Sequence, residues 1–173
     1  MLGLQTISSR TIDPVDAVVV PVTKFHGGDA YNVIPEIVEL GGTVRTLKEN
    51  VAVRTEARMN TICAGIGAAT ESSIDLHYRR NYPVTFNHAA ETDFAANTAA
   101  SIAGEDNVDR AMAPMMGGED FSYMLEARPG AYLFLGAGPG AGLHHAAYDF
   151  NDEIAPIGAT FFARLVEKAQ PVA

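Results

Sequence analysis

The stretch IPEIVELGGTVRTL, residues 34–47, alternates. Ile37, Glu39, Thr43 and Arg45 are set against Val38, Leu40 and Val44. A period of two marks a half-buried strand, and Gly41 with Gly42 predicts a bend or bulge in its middle. Upstream, residues 16–25 read DAVVVPVTKF, β-branched and apolar enough for a second strand, in which Pro21 marks an edge or a bulge. Downstream the period lengthens. Over residues 48–69, charged Glu49, Arg54, Glu56 and Arg58 interleave with Val51, Met59, Ile62 and Ile66, which predicts a helix. Residues 72–82, SSIDLHYRRNY, return to alternation, with Ile74, Leu76 and Tyr78 against Asp75, His77 and Arg79.

The chain opens with LQTISSR, residues 4–10, which reads as the end of an amphipathic helix already under way at Met1 with no capping residue ahead of it. Helix-end, strand, strand, helix, strand is the ferredoxin-like α+β order without its opening strand. Pro83 marks a boundary. Beyond it, residues 89–103 form an alanine-rich helix ended by Gly104. Residues 111–116 predict a short strand leading into GGEDF, and residues 122–127 a short helix. Residues 131–136, AYLFLG, predict a buried strand, and residues 157–169 an amphipathic closing helix. Strands alternating with helices imply part of an α/β sheet in this second segment.

The 173 residues, 47% of them hydrophobic, suffice for one sizeable packed domain or two small ones. A net charge of −9, from 21 acidic and 12 basic residues, argues against nucleic acid or an anionic membrane as partner, since either needs a basic face. The single cysteine, Cys63, excludes an internal disulfide and suits a reducing compartment. The apolar runs are too short to span a bilayer, and the first residues lack a signal peptide's basic start and apolar stretch. The expectation is a soluble, cytoplasmic protein.

Chemistry is spelled sparsely. His144 and His145 stand side by side after the loop GAGPGAGL, with Asp149 close behind. A catalytic zinc needs three converging protein ligands and an open position for water. Adjacent residues of an extended segment point to opposite faces, so at most one of the two imidazoles faces a given metal. Two solvent-facing loop histidines are the plain alternative. The loop MMGGEDFS, residues 115–122, carries Gly117 and Gly118, whose backbone can approach an anion, ahead of Glu119 and Asp120. Those two carboxylates equally suit a helix N-terminus, where they interact well with the dipole. Asn32, ahead of a proline, suits ordinary turn hydrogen bonding. Arg45 is either a solvated strand arginine or a planar fork for a carboxylate. Cys63 reads as helix filler, and His26, His77 and His88 have no ligand partners at useful spacing.

Four stretches in order add to this reading: GGDAYNVIPEIVELGGTVRTL (27–47), YPVTFNH (82–88), MGGEDFSYMLEARPGAYLFLGAG (116–138) and LHHAAYDFNDEIAPIGATFFARLVE (143–167). Together they resemble the metallopeptidase family of amidohydrolases that includes hippurate hydrolases, N-acyl-amino-acid aminoacylases and auxin-conjugate hydrolases. The resemblance implies a zinc-peptidase-like α/β catalytic domain interrupted by a smaller α+β, ferredoxin-like lid domain that dimerises. Residues 1–83 then correspond to the lid without its first elements. Residues 84–173 correspond to the C-terminal segment of the catalytic domain.

By the same resemblance His144 is a metal ligand, although His145 stands where Asn or Ser is more usual and Ala146 where proline is, which leaves open which imidazole is used. Asn32 and Arg45 correspond to substrate-binding residues that reach a neighbouring subunit's active site. Gly117, Gly118 and Glu119 belong to a loop lining the substrate pocket. The implied partners are a small N-acyl or N-aroyl amino acid and a second copy joined through the lid, together with a separate N-terminal half. The implied cofactor is a divalent metal: zinc, manganese or cobalt. The family's other metal ligands, in cysteine-glycine-histidine and double-glutamate motifs, its catalytic glutamate and a lid histidine have no counterpart in these residues. The expectation is therefore the C-terminal portion of an amidohydrolase, inactive alone. The rival expectation is a non-catalytic dimerisation or binding module derived from the same family.

Overall fold

The computed structural model describes residues 1–170; residues 171–173, the end of the second expected segment, lie outside them. The chain divides into two compact units. One is Met1–Val84 with Pro114–Glu119, and the other is Thr85–Ala113 with Asp120–Ala173, of which 171–173 are not described.

In the first unit, helix α1 (Leu2–Thr6) runs into a π-helical turn, Ile7–Thr11. Four short strands follow: β1 (Val18–Val19), β2 (Val22–His26), β3 (Glu39–Gly42) and β4 (Arg45–Thr46). They form two antiparallel ladders, β1 with β4 and β2 with β3. The stretch expected as one strand over residues 34–47 is thus two, because the chain breaks pairing at Thr43–Val44 to change ladder. Pro21 separates β1 from β2 in the same way, and a register shift lies between Val22 and Lys24. Proline has no N–H to donate to a ladder, which accounts for the break at that point. An ion pair between Lys24 and Glu39, 2.6 Å, spans the β2–β3 hairpin.

Helix α2 (Glu49–Thr70) packs one stripe against the chain's start. Val51, Thr55, Met59 and Ile62 recur at helical spacing. Val51 and Ile62 are buried with Ile7 and Ile12 in a core that Leu4, Val18, Val20 and Met59 surround. Each fully buried aliphatic side chain of this kind contributes about 1.5–3 kcal/mol. The helix ends at Glu71, in the left-handed conformation with φ +54°, whose N–H caps the carbonyl of Gly67.

Residues 72–82 form no strand. Their alternation survives in part as burial, since Leu76 and Tyr78 are half-buried while Asp75, His77 and Arg79 are exposed, but Ile74 is exposed too. Period two reports which face is apolar. It does not supply the neighbouring backbone a ladder needs. The segment is instead tied to α2 by Arg80, which donates to Glu56 at 2.9 and 2.7 Å and to Glu49 at 2.6 Å.

The second unit is helical among its described residues: α3 (Ala89–Ala103), α4 (Phe121–Ala127) and α5 (Ala155–Ala169), with 3-10 turns at Glu105–Asn107 and Asp152–Ile154. Helix α3 packs on α5. Ala95, Ala96 and Thr98 are buried on α3, and Leu125 and Ser122 on α4. The strands expected over 111–116 and 131–136 are not formed. Both segments are irregular, so the described residues of this unit hold no sheet. AYLFLG keeps its apolar character, yet Leu133, Phe134 and Leu135 stay 37–58% exposed with no strand alongside. No helix among the described residues is long and apolar enough to cross a membrane.

Candidate functional site

The loop of residues 142–148 is two successive turns. His145 N–H donates to Gly142 C=O at 3.1 Å, and Tyr148 N–H to His145 C=O at 2.9 Å. Between them His144 holds φ +68°, a left-handed conformation that costs a side-chain-bearing residue about 1–2 kcal/mol. Its imidazole is exposed, and no hydrogen bond or ion pair engages it among the described residues. His145 differs. Its Nδ1 accepts the N–H of Ala147 at 3.1 Å. A neutral imidazole has one accepting and one donating nitrogen, so this bond places the ring proton of His145 on Nε2 and leaves no lone pair there for a metal.

The segment behind the pair leads into a helix. Asn151 accepts from Glu153 N–H at 3.0 Å and donates to Ala137 C=O at 3.1 Å, so the segment from Asn151 to Ile154 is the capped entry to α5. Among the described residues no three His, Cys, Asp or Glu side chains group to hold a metal ion. An unshared imidazole suits a zinc-type ion as one donor. His144 fits that description, and the rest of a coordination sphere is not found among the described residues.

Asn32 lies in the long connection between β2 and β3, in a turn whose Val33 N–H reaches Ala30 C=O at 3.5 Å. Its exposed side chain makes no hydrogen bond there among the described residues, contrary to the turn role its position suggested. Residues Gly27–Tyr31, Val33 and Pro35 line an open depression of about 400 Å³ beside it. Arg45 projects from β4, opposite Val19, and donates from Nη1 to Thr43 Oγ1 at 2.6 Å. The rest of its fork makes no further bond among the described residues.

Gly117, Gly118 and Glu119 belong to the first unit with Asn32 and Arg45, whereas His144 belongs to the second. A Cβ on Gly118 would lie 3.2 Å from the ring of Tyr82, while Gly117 has open space around it. A side chain at 118 would therefore require the Tyr82 ring to give by a few tenths of an ångström. Asp120 stands at the N-cap of α4 without a side-chain capping bond, and Glu119 is half-buried.

One constellation was missed from sequence. Asn87 donates to Tyr132 C=O at 2.9 Å and accepts Tyr132 N–H at 2.8 Å. His88 N–H donates to Gly130 C=O at 3.0 Å, and its Nδ1 accepts Gly130 N–H at 3.2 Å. Two side chains thereby do the work of a neighbouring strand. In the sequence the two residues stand at the end of YPVTFNH, just ahead of a helix, with nothing to mark the bonds they make.

Comparison with known proteins gives this geometry a context. Residues 5–168 match the family model described as peptidase family M20/M25/M40. The chain is 34% identical over 168 residues to a hippurate hydrolase of Campylobacter jejuni, covering 97% of this chain and 44% of that protein. It is 35% identical over 162 residues to an N-acetyl-L-cysteine deacetylase of Bacillus subtilis, covering 94% and 38%. Among solved structures it resembles the YXEP protein of Bacillus subtilis, described as a dinuclear metal-binding peptidase of the M20 family. That likeness has a TM-score of 0.74 at 26% identity, over 98% of this chain and 45% of that one. The chain thus spans less than half the length of these relatives. With a match that takes in almost all of its residues, the chain belongs to the peptidase family M20/M25/M40.

Proposed function

We propose that the chain is the C-terminal portion of a metal-dependent amidohydrolase that cleaves N-acyl or N-aroyl amino acids, and that it is inactive alone. The observation that carries this is the pairing of one exposed, unshared imidazole, His144, with the lack of any three-residue ligand group among the described residues. Relatives named as a hippurate hydrolase and an N-acetyl-L-cysteine deacetylase support the substrate class. A bound divalent ion (zinc, manganese or cobalt) would supply Lewis-acid chemistry and lower the pKa of water.

This chain's own share is binding. His144 holds the ion as one ligand. The amide of Asn32 and the open fork of Arg45 reach a neighbouring subunit's active site and hold the substrate's free carboxylate there, and Gly117, Gly118 and Glu119 border a substrate pocket. Residues 1–83 act as a ferredoxin-like lid that joins two copies, for which the exposed apolar side chains of Tyr31, Ile34 and Ile37 are suited. The exposed AYLFLG segment receives strands from a separate N-terminal half. The single thiol suits a cytoplasmic setting.

The test is hydrolysis of hippurate by the purified chain supplied with zinc, manganese or cobalt. Turnover by the chain alone overturns the proposal. The expected result is none, with activity appearing when a polypeptide carrying the family's cysteine-glycine-histidine and double-glutamate motifs is added, and disappearing again in His144→Ala. A metal-free dimer that gains no activity on mixing would instead identify a non-catalytic module.

A further inference from the structure

The second histidine of the pair has a task that its neighbour's role does not explain. Three hydrogen bonds define the loop at residues 142–148, and His145 takes part in each: through its N–H to Gly142, through its C=O from Tyr148, and through Nδ1 from the N–H of Ala147. The first two are backbone bonds that any residue could make. The third belongs to the side chain and has the form of an Asx-turn, in which a side-chain acceptor takes the N–H two residues on. It closes the second turn, Ala146–Ala147, which His145 separates from His144 at φ +68°. A non-glycine residue stays in that conformation only where its surroundings over-determine it. Neither neighbour of the pair contributes a bond from its side chain, since Leu143 and Ala146 are apolar.

We infer that His145 is a positioning residue: by accepting the Ala147 N–H on Nδ1 it locks the double turn that presents the His144 imidazole, and it commits its own Nε2 to the proton. The inference rests on the reading of His144 as the working imidazole. It also settles a division of labour between two adjacent, chemically identical side chains. One is a free donor, and the other is a brace and a hydrogen-bond donor directed outward. An asparagine at 145 has an acceptor at the same reach and replaces the brace. A leucine fills similar space and does not.

The experiment is heteronuclear NMR of the 173-residue chain with 15N-labelled imidazoles. Long-range 1H–15N correlations are expected to give His145 as the Nε2–H tautomer, and His144 a strong intraresidue HN–Hα contact, the mark of a positive φ. In His145→Leu that contact is lost, and in His145→Asn it is kept. Substoichiometric Mn2+ is the metal probe. It is expected to broaden the ring signals of His144 before those of His145, with the selectivity lost in His145→Leu and restored in His145→Asn. An Nδ1–H tautomer at His145, broadening of His145 ahead of His144, or an unchanged His144 backbone in His145→Leu would overturn the inference. If His144 ignores Mn2+ while the tautomer and the asparagine rescue hold, the brace stands and the reading of His144 as a ligand fails.

Discussion

A Cβ built on Gly42 would lie 2.1 Å from the carbonyl oxygen of Pro21. That oxygen also accepts the N–H of Thr43 at 3.3 Å, so the close approach is part of how the two ladders are joined. Gly42→Ala is expected to destabilise the chain by about 2–3 kcal/mol, as an overpacked site with backbone on the far side must. Gly65, inside α2, has no described atom beyond its own stretch of helix backbone within 4 Å of its Cβ position. Gly65→Ala is expected to stabilise by about 0.5–1 kcal/mol. Urea unfolding of the two variants should move the midpoint in opposite directions.

Thr55 is fully buried against the first unit's core, and its Oγ1 has no hydrogen-bond partner among the described residues. Replacing the hydroxyl by a methyl of the same shape removes an unmet polar group. Thr55→Val should raise stability by about 1 kcal/mol. Thr55→Ser, which retains the hydroxyl and opens a void, should lower it in the same assay.

The clasp of Asn87 on Tyr132 replaces both hydrogen bonds that a strand would supply there. Asn87→Ala leaves a backbone N–H and C=O unmet and should destabilise by about 2–3 kcal/mol. The Tyr132 amide, bonded to Asn87, is expected to be protected from hydrogen exchange in the wild type and to exchange faster in the variant before global unfolding does.

Burial, helped by the charge of Glu56, raises the pKa of the Tyr78 phenol above its ordinary value, although Arg80 opposes the shift. A raised folded-state pKa means that the folded chain holds the proton more tightly. The contribution is therefore complete below about pH 10, the unfolded value, and is lost as pH climbs through the folded one. Tyr78→Phe should flatten the fall in urea midpoint above about pH 10. A fall as steep as the wild type's would show that this phenol is not responsible.

Arg45 offers a fork of which one nitrogen is taken by Thr43. In the complemented enzyme, Arg45→Lys should lower kcat/KM for a carboxylate-bearing substrate by about 10- to 100-fold, the worth of one charge-assisted hydrogen bond with its geometry. A substrate whose carboxylate is amidated should show little difference between the two enzymes.

The helices were legible because their signals are local. The charged and apolar interleaving over 48–69 became Glu49–Thr70, and the alanine-rich run became Ala89–Ala103, closed at Gly104. The predicted strands over 72–82, 111–116 and 131–136 did not form ladders. Alternation and apolarity specify a face, whereas a strand also needs a backbone beside it, and side chains of Arg80 and Asn87 tie two of these segments instead. At the candidate site, His144 stood out by its neighbours in sequence. Its left-handed backbone and the imidazole acceptor of His145 are matters of geometry, which no spacing of letters records.

Residues 114–119 belong with the first 84 residues rather than with the segments on either side of them. For anyone dividing this polypeptide, no single scissor point in the gene yields the first unit by itself. A piece ending at Val84 would keep Tyr82 but lose Gly118, which lies close to its ring. Independent production of the first unit therefore calls for a splice, with the 114–119 segment grafted back on by a linker, rather than a cut.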